Sequence, residues 1–314
     1  MLKLVCNRRS SLTTRVFAAS STLLGAMASQ TRNASIEDSS SKSHRNCTFL
    51  EFNERPCKPR SFGKTEIRGP YYSVMGPRYL QDIMETMGHY VDGLKFAGGA
   101  FSLMPREAIK QITSIAHQHG VYVSTGGWAE HILAKGSHLF KPYLEEVKDL
   151  GFDVVELSTG FISIPQEDLV QLVRTVKDAG LKAKPELGIQ FGAGGDTATA
   201  ELAAEGTRDA EWVIQRAKAC LDAGADIIMI ESEGITENVE TWRTDVVAKI
   251  IGQLGLENVM FEAAEPKVFE WYLKNYGNRV NLFVDHSQIV QLECLRSGIW
   301  GTKSSWGRLL TFRP

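Results

Sequence analysis

No stretch of about 18 consecutive apolar residues occurs in the 314-residue chain, so no segment reads as a membrane-spanning helix. The five cysteines (Cys6, Cys47, Cys57, Cys220 and Cys294) form no Cys-x-x-Cys pair, which argues against a disulfide framework and against a zinc or dithiol motif. A basic surplus is also missing. The formal net charge of -2 gives no footprint for nucleic acid. No Ser-His-Asp or Cys-His arrangement can be assembled from spacing, and no Gly-x-Gly-x-x-Gly follows the first strand candidate. Acidic residues are absent before Glu37, while Lys3, Arg8, Arg9, Arg15 and Arg32 stand amid Ser, Thr and Ala. Residues 1–45 therefore read as a disordered or transit-peptide-like extension, with a start at Met27 as an alternative. A transit peptide would direct the chain to mitochondria or plastids; otherwise the cytoplasm is expected.

What the chain does contain is a repeated unit. Leu221–Gly234 reads LDAGADIIMIESEG: a helix closes on Gly224, a buried apolar run follows, and the run ends on Glu231. HQHGVYVSTGG (117–127), KDLGFDVVELSTG (148–160) and KDAGLKAKPELG (177–188) have the same grammar. A polar or cationic last helical turn, a glycine cap, a strand and a polar tip, recurring at roughly 30 residues, mark the βα rhythm of a parallel sheet. Eight strand candidates follow: Thr65–Arg68, Val91–Ala97, Val121–Thr125, Val154–Ser158, Lys182–Leu187, Ile227–Glu231, Val259–Glu262 and Asn281–Asp285. Eight amphipathic stretches lie between and after them, with Pro105, Pro165 and Pro266 at or near helix starts. The expected fold is α/β, a single (β/α)8 barrel over 46–314, with a doubly wound open sheet as the runner-up.

Such barrels collect their chemistry at the C-terminal ends of the strands. Those ends carry Arg68, Lys95 with Gly98-Gly99, Gly126-Gly127, Glu156, Lys184 with Glu186, Glu231, Glu262 and Asp285-His286. Carboxylates converging on one mouth repel unless cations sit among them, and Lys95, Lys184 and a divalent metal are the candidates. Oxygen ligands without a His/Cys cluster favour Mg²⁺ over zinc. The glycine-rich loops at 94–101 and 191–196 could present backbone N–H groups to an anion, and Arg296 follows the eighth strand, where barrels commonly bind phosphate. Residues 189–207 form a long loop of the kind that makes a lid. Asp285 could equally cap the helix that follows it.

KPRSFGKTEIRGP (58–70), VDGLKFAGG (91–99), GFDVVELSTG (151–160), DAGADIIMIE (222–231), VMFEA (259–263) and LECLRSGIWG (292–301) together resemble the phosphosulfolactate synthase family. VDHSQI (284–289) and VYVSTG (121–126) are similar to its plant heat-stress-associated branch. The resemblance implies a barrel enzyme that adds sulfite to phosphoenolpyruvate in a Mg²⁺-dependent step. For this chain it implies Glu156, Glu186 and Glu231 as metal ligands and a catalytic set of Lys95, Lys184 and position 190. Arg60, Gly98, Gly99, Gly126, Gly127 and Arg296 would hold a small anionic substrate. Barrels of this kind associate through helix faces, so a homo-oligomer is an open expectation. Two positions depart from the archaeal pattern. Gln190 stands where those members place the lysine that looks like the acid/base residue, and an amide cannot exchange a proton near neutral pH. Glu233 stands where they place a basic residue. Lys184, two residues before Glu186 and on the same strand face, is the candidate substitute. The branch also implies the alternative of a barrel retained for a role in heat stress without the original reaction.

Overall fold

The computed structural model describes residues 46–47, 49–53, 55–195, 197–204, 209–299 and 309–310. Residues 1–45, where the extension is expected, lie outside the described residues, and the compact unit begins at Phe52. Eight parallel strands close into a barrel in sequence order: β1 Thr65–Arg68, β2 Gly93–Lys95, β3 Tyr122–Ser124, β4 Val154–Ser158, β5 Lys182–Leu187, β6 Ile228–Ile230, β7 Val259–Glu262 and β8 Asn281–Asp285. β8 pairs with β1 over four register positions, from Thr65 opposite Leu282 to Arg68 opposite Asp285, and this seam closes the sheet. Every strand candidate is a strand, so the closed barrel replaces the open-sheet alternative.

The helices form for the reasons their sequences give. In α5 (Gln166–Asp178), Pro165 sets the entry, Glu167 and Asp168 occupy the first turn, and Lys177 the last. Leu169, Val173 and Val176, at helical spacing, turn inward and bury one face. Two shorter helices were not expected, α3 (Trp128–Lys135) and α6 (Thr199–Ala204), and both lie within βα connections. In α3 the apolar Ala129, Ile132 and Leu133 share a face packed on the core. That signal spans only two turns, too few for periodicity to stand out.

The barrel interior is divided. Ile227, Met229, Met260 and Phe283, from the β6–β8 side, form an apolar cluster separate from the main core between sheet and helices. On the β1–β5 side, the inward positions carry Glu66, Tyr122, Glu156 and Lys184. A side chain at Gly93 would place its Cβ 2.3 Å from the Tyr122 ring, so the glycine leaves that phenol its space.

The N-terminal end of the barrel is closed by arginines. Arg60 Nη1 meets Asp92 Oδ1 at 2.9 Å and Nη2 donates to the His89 carbonyl at 2.8 Å. Arg55 pairs with Glu293. Arg296, in α10 (Ile289–Ser297), is fully buried and donates to the Asn278 and Val280 carbonyls at 2.7 and 3.0 Å. Asp92 immediately precedes β2 and Val280 immediately precedes β8, so these groups lie at the end opposite the strand C-termini. The expectation that Arg60 and Arg296 hold substrate phosphate is corrected: their guanidiniums are committed to carbonyls and to Asp92 on the closed face. Burial and the nearby Arg55 push the Arg296 guanidinium down to about 9. Arg296→Met should cost about 2–4 kcal/mol, because the carbonyls lose their donors in a dry site. Thermal unfolding should show this as a fall of roughly 5–10 °C, and an unchanged midpoint would refute the closing role.

Candidate active site

Alternation along each strand decides which side chains meet inside the barrel. Glu156 lies on β4 opposite Lys184 on β5, and Ser158 lies opposite Glu186. A chain of opposite charges results. Lys184 pairs with Glu66 and, at 2.9 Å, with Glu156 Oε2. Lys95 meets Glu156 Oε1 at 2.7 Å and Glu186 Oε1 at 2.9 Å. Both Glu156 oxygens lack an aligned hydrogen bond, so ionic attraction holds them. Above this chain, carboxylate oxygens of Glu186, Glu231 and Glu262 lie within 4.8 Å of one another at the C-terminal end of the strands. Arg68 Nη2 pairs with Glu262 Oε1 at 2.6 Å; the Arg68 guanidinium carbon Cζ stands 5.1 Å from the Phe283 ring centre, and Lys95 Nζ stands 4.5 Å from it.

These charges tune one another. Burial works against the Lys95 ammonium, but Glu156 and then Glu186, Glu262 and Glu66 hold its pKa well above the ordinary lysine value. Burial and repulsion from Glu262 and Glu186 push Glu231 well above the ordinary carboxylate value. Burial, with the Glu186 charge, also raises Glu262, against Lys95, Arg68 and the neighbouring Glu231 carboxyl, which lower it. Glu186 is the exception: burial raises it, yet Lys95 and the Ser158 hydroxyl, 2.6 Å away, bring it below the usual value.

The oxygen-only donor set and the suppressed ionisation of Glu231 fit a hard divalent cation. The expected ligand set and the oxygen cluster differ in one member. Glu156 lies deeper, fully buried between two ammoniums, and Glu262 takes its place in the cluster. Lys184 is likewise enclosed, with no exposed surface, and reaches the mouth through its pairing with Glu156 and its charge on Glu186. Gln190 turns away from the carboxylates: its Nε2 donates to the Leu202 carbonyl at 2.7 Å. The glycines mark close packing. A Cβ at Gly99 would fall 2.0 Å from Trp128, and one at Gly126 would fall 1.9 Å from the Phe96 carbonyl oxygen. Gly98 abuts Tyr71, and Gly127 abuts Ser158. Asp285 caps the turn after it, accepting from Ser287 N at 2.9 Å.

Three participants were missed as site residues. Arg68 stood among the strand ends without a role, although it is the cation nearest the cluster on its open side. Ser158 is two residues beyond Glu156, and that even spacing could have placed it on the same face. Phe283 carried no signal beyond an apolar strand position. His286 holds β8 to β1: Nδ1 lies 3.0 Å from the Arg68 carbonyl, which can only accept, so Nδ1 carries the hydrogen. Nε2 then accepts from Tyr79 Oη at 3.0 Å. A pocket of about 410 Å³ opens beside these groups, lined by Arg68, Tyr72, Asp285, His286, Ser287 and Gln288 among others.

With this geometry in place, the sequence pattern of the (2R)-phospho-3-sulfolactate synthase (ComA) family matches residues 53–302. The chain belongs to this family. It is 48% identical over 259 residues to Protein HEAT-STRESS-ASSOCIATED 32 of Arabidopsis thaliana, covering 79% of this chain and 91% of that one. It is 28% identical over 240 residues to the phosphosulfolactate synthase of Methanocaldococcus jannaschii, covering 72% and 88%. Among solved structures, the carboxyl transferase domain of Rhizobium etli pyruvate carboxylase with 3-bromopyruvate matches at a TM-score of 0.51 and 12% identity, over 72% of this chain and 40% of that one. That likeness shows the barrel alone. Membership of the ComA family supports an enzyme.

One ComA-barrel carboxyl near this mouth titrates in a testable range. Glu130, on α3, accepts from Phe161 N at 2.9 Å and Ile162 N at 3.3 Å and so holds the loop after β4. Burial, with repulsion from Glu186 and Glu156, raises its pKa to about 7 against the two N–H bonds. A raised folded pKa means the folded state binds the extra proton, so this contribution is full below about 4.5 and lost as pH rises through about 7. Glu130→Gln should therefore gain stability relative to wild type as pH rises from 5 to 8, by on the order of 1 kcal/mol after solvent screening. Urea unfolding at both pH values checks this, and a pH-independent difference would contradict it.

Proposed function

We propose that the chain is a phosphosulfolactate synthase-like enzyme, a lyase acting in the C–S bond-forming direction on a small phosphorylated or sulfonated carboxylate. Sulfite and phosphoenolpyruvate are the named substrates. The carrying observation is the Glu186–Glu231–Glu262 cluster set beside Lys95 and Arg68. Among the described residues, the ion-pair chain and the cluster above it set five carboxyl groups (Glu66, Glu156, Glu186, Glu231, Glu262) against three cations (Arg68, Lys95, Lys184), while the buried Glu233 carboxylate beside them is taken up by backbone N–H groups. If all ionise, two negative charges are in excess, which matches one divalent cation. Glu186, Glu231 and Glu262 would hold Mg²⁺. When bound, it would polarise a substrate carboxylate and stabilise charge developing there.

The chain's own groups supply the rest. In the proposed reaction the sulfite sulfur adds to the methylene carbon, and the double-bond electrons move toward the substrate carboxylate. The adjacent carbon then takes a proton. Lys95 Nζ, held charged by Glu156 and Glu186, is the cation for that carboxylate and the proton donor of the set. Arg68, on the pocket side, binds the second anionic end. Glu156 and Lys184 keep Lys95 aimed and exclude water from behind it.

A second reading has its own support. Gln190 cannot exchange a proton and its amide is committed to Leu202, and the relative at 48% identity is named for heat stress rather than for a reaction. On that reading the barrel binds its ligand and serves heat tolerance without turnover. Supplying the full chain with phosphoenolpyruvate, sulfite and Mg²⁺ and following product by mass spectrometry separates the two. The enzyme reading expects phosphosulfolactate, with a loss on the order of 10²-fold or more in Lys95→Ala. A folded chain that binds Mg²⁺ and gives no product would favour the second.

A further inference from the structure

We infer that Glu233 is a positioning residue whose carboxylate latches the loop after β5 over the carboxylate cluster and so controls how fast a ligand there exchanges. The loop touches the cluster through backbone. Gly194 has φ +92°, and a Cβ on it would lie 2.7 Å from Glu231 Oε2, so a side chain there would strike the cluster. The latch is Glu233, which is 6% exposed. Its Oε2 accepts from Gly194 N at 2.7 Å and Thr197 N at 3.5 Å, and its Oε1 accepts from Asn238 Nδ2 at 3.1 Å. Asn238 Nδ2 also reaches the Thr197 carbonyl at 3.4 Å, tying a second chain segment to the same loop.

Two more contacts make this one closed arrangement. Glu233 N donates to Glu231 Oε1 at 3.2 Å, so one residue grips the loop with its side chain and a cluster carboxylate with its backbone. Gly160, after β4, packs against the loop so closely that a Cβ there would lie 2.6 Å from the Gly194 carbonyl carbon. The β4–β6 side of the mouth is therefore roofed by backbone, while the roughly 410 Å³ pocket beside Arg68 lies on the β8–β1 side. Release of the latch would open the β4–β6 side to a ligand.

The ligand part of this inference rests on the proposed cation site; the latch itself does not. Hydrogen–deuterium exchange on the full chain without metal tests the latch alone. In Glu233→Ala, the Gly194 and Thr197 amides should exchange ~10–100-fold faster than in wild type, the loss expected for a hydrogen bond to a charged group. Glu233→Gln keeps an acceptor oxygen and should stay within a few-fold of wild type. Asn238→Ala, which removes a donor from the same grip, should fall between them and serves if Glu233→Ala does not fold. Exchange in Glu233→Ala or Asn238→Ala equal to wild type would overturn the latch, as would Glu233→Gln exchanging as fast as Glu233→Ala. With Mn²⁺ as probe, stopped-flow release should be ~10-fold or more faster from Glu233→Ala than from wild type. Unchanged release with a loosened loop would overturn control of exchange. If wild type binds no Mn²⁺, the cation reading fails while the exchange result still decides the latch.

Discussion

A chain of five paired acidic and basic side chains runs through the barrel interior, and the rest of the site depends on how they neutralise one another. Glu66, Lys184, Glu156, Lys95 and Glu186 alternate in sign from the middle of the barrel to its mouth. A buried charge without a partner costs several kcal/mol, so no member can be removed without stranding its neighbours. The chain therefore fixes Lys95 as charged and holds Glu186 ionised at the mouth. It leaves Glu231 and Glu262 held above the ordinary carboxylate value by burial and like charge. The order of charges is a consequence of strand register. Had β4 slipped by one residue against β5, Glu156 and Lys184 would no longer face each other.

The divided interior explains why such a polar core is tolerable. Met229, Met260 and Phe283 fill the β6–β8 half with apolar volume, and Phe283 presents its ring to both Lys95 and Arg68. The ring face attracts both cations without competing for their hydrogen bonds. The ammonium thus meets carboxylates on one side and an aromatic face on the other, a setting that holds a charge in place with little water.

The strands were legible in the sequence because apolar runs between glycine caps and polar tips leave few other assignments, and their ends pointed to Lys95, Glu186 and Glu231. Depth was not legible. Glu156 and Glu262 both lie near strand ends, but only the stagger of the strands decides that the first sits between lysines and the second at the mouth. Position in the chain also misled. Arg296 follows the eighth strand in sequence, yet α10 runs back down the barrel and delivers it to the closed face. Arg60 precedes β1 and belongs to the same floor. Gln190 was marked by its chemistry as a lost proton donor; its role within the loop emerges only from the partner it meets.

The seam between β1 and β8 joins residues more than 200 positions apart. It is stitched at one end by the His286 ring on the Arg68 carbonyl and at the other by Asn281 Oδ1 on Lys64 N at 2.9 Å. During synthesis, β1 emerges first and cannot meet its outer neighbour until nearly all of the chain has followed. Until then its edge is an open row of backbone donors and acceptors. Closure of the sheet, and with it burial of Glu66 against Lys184, must wait for the last strand. The assembly of this barrel is thereby limited by its longest-range contact rather than by any of its helices.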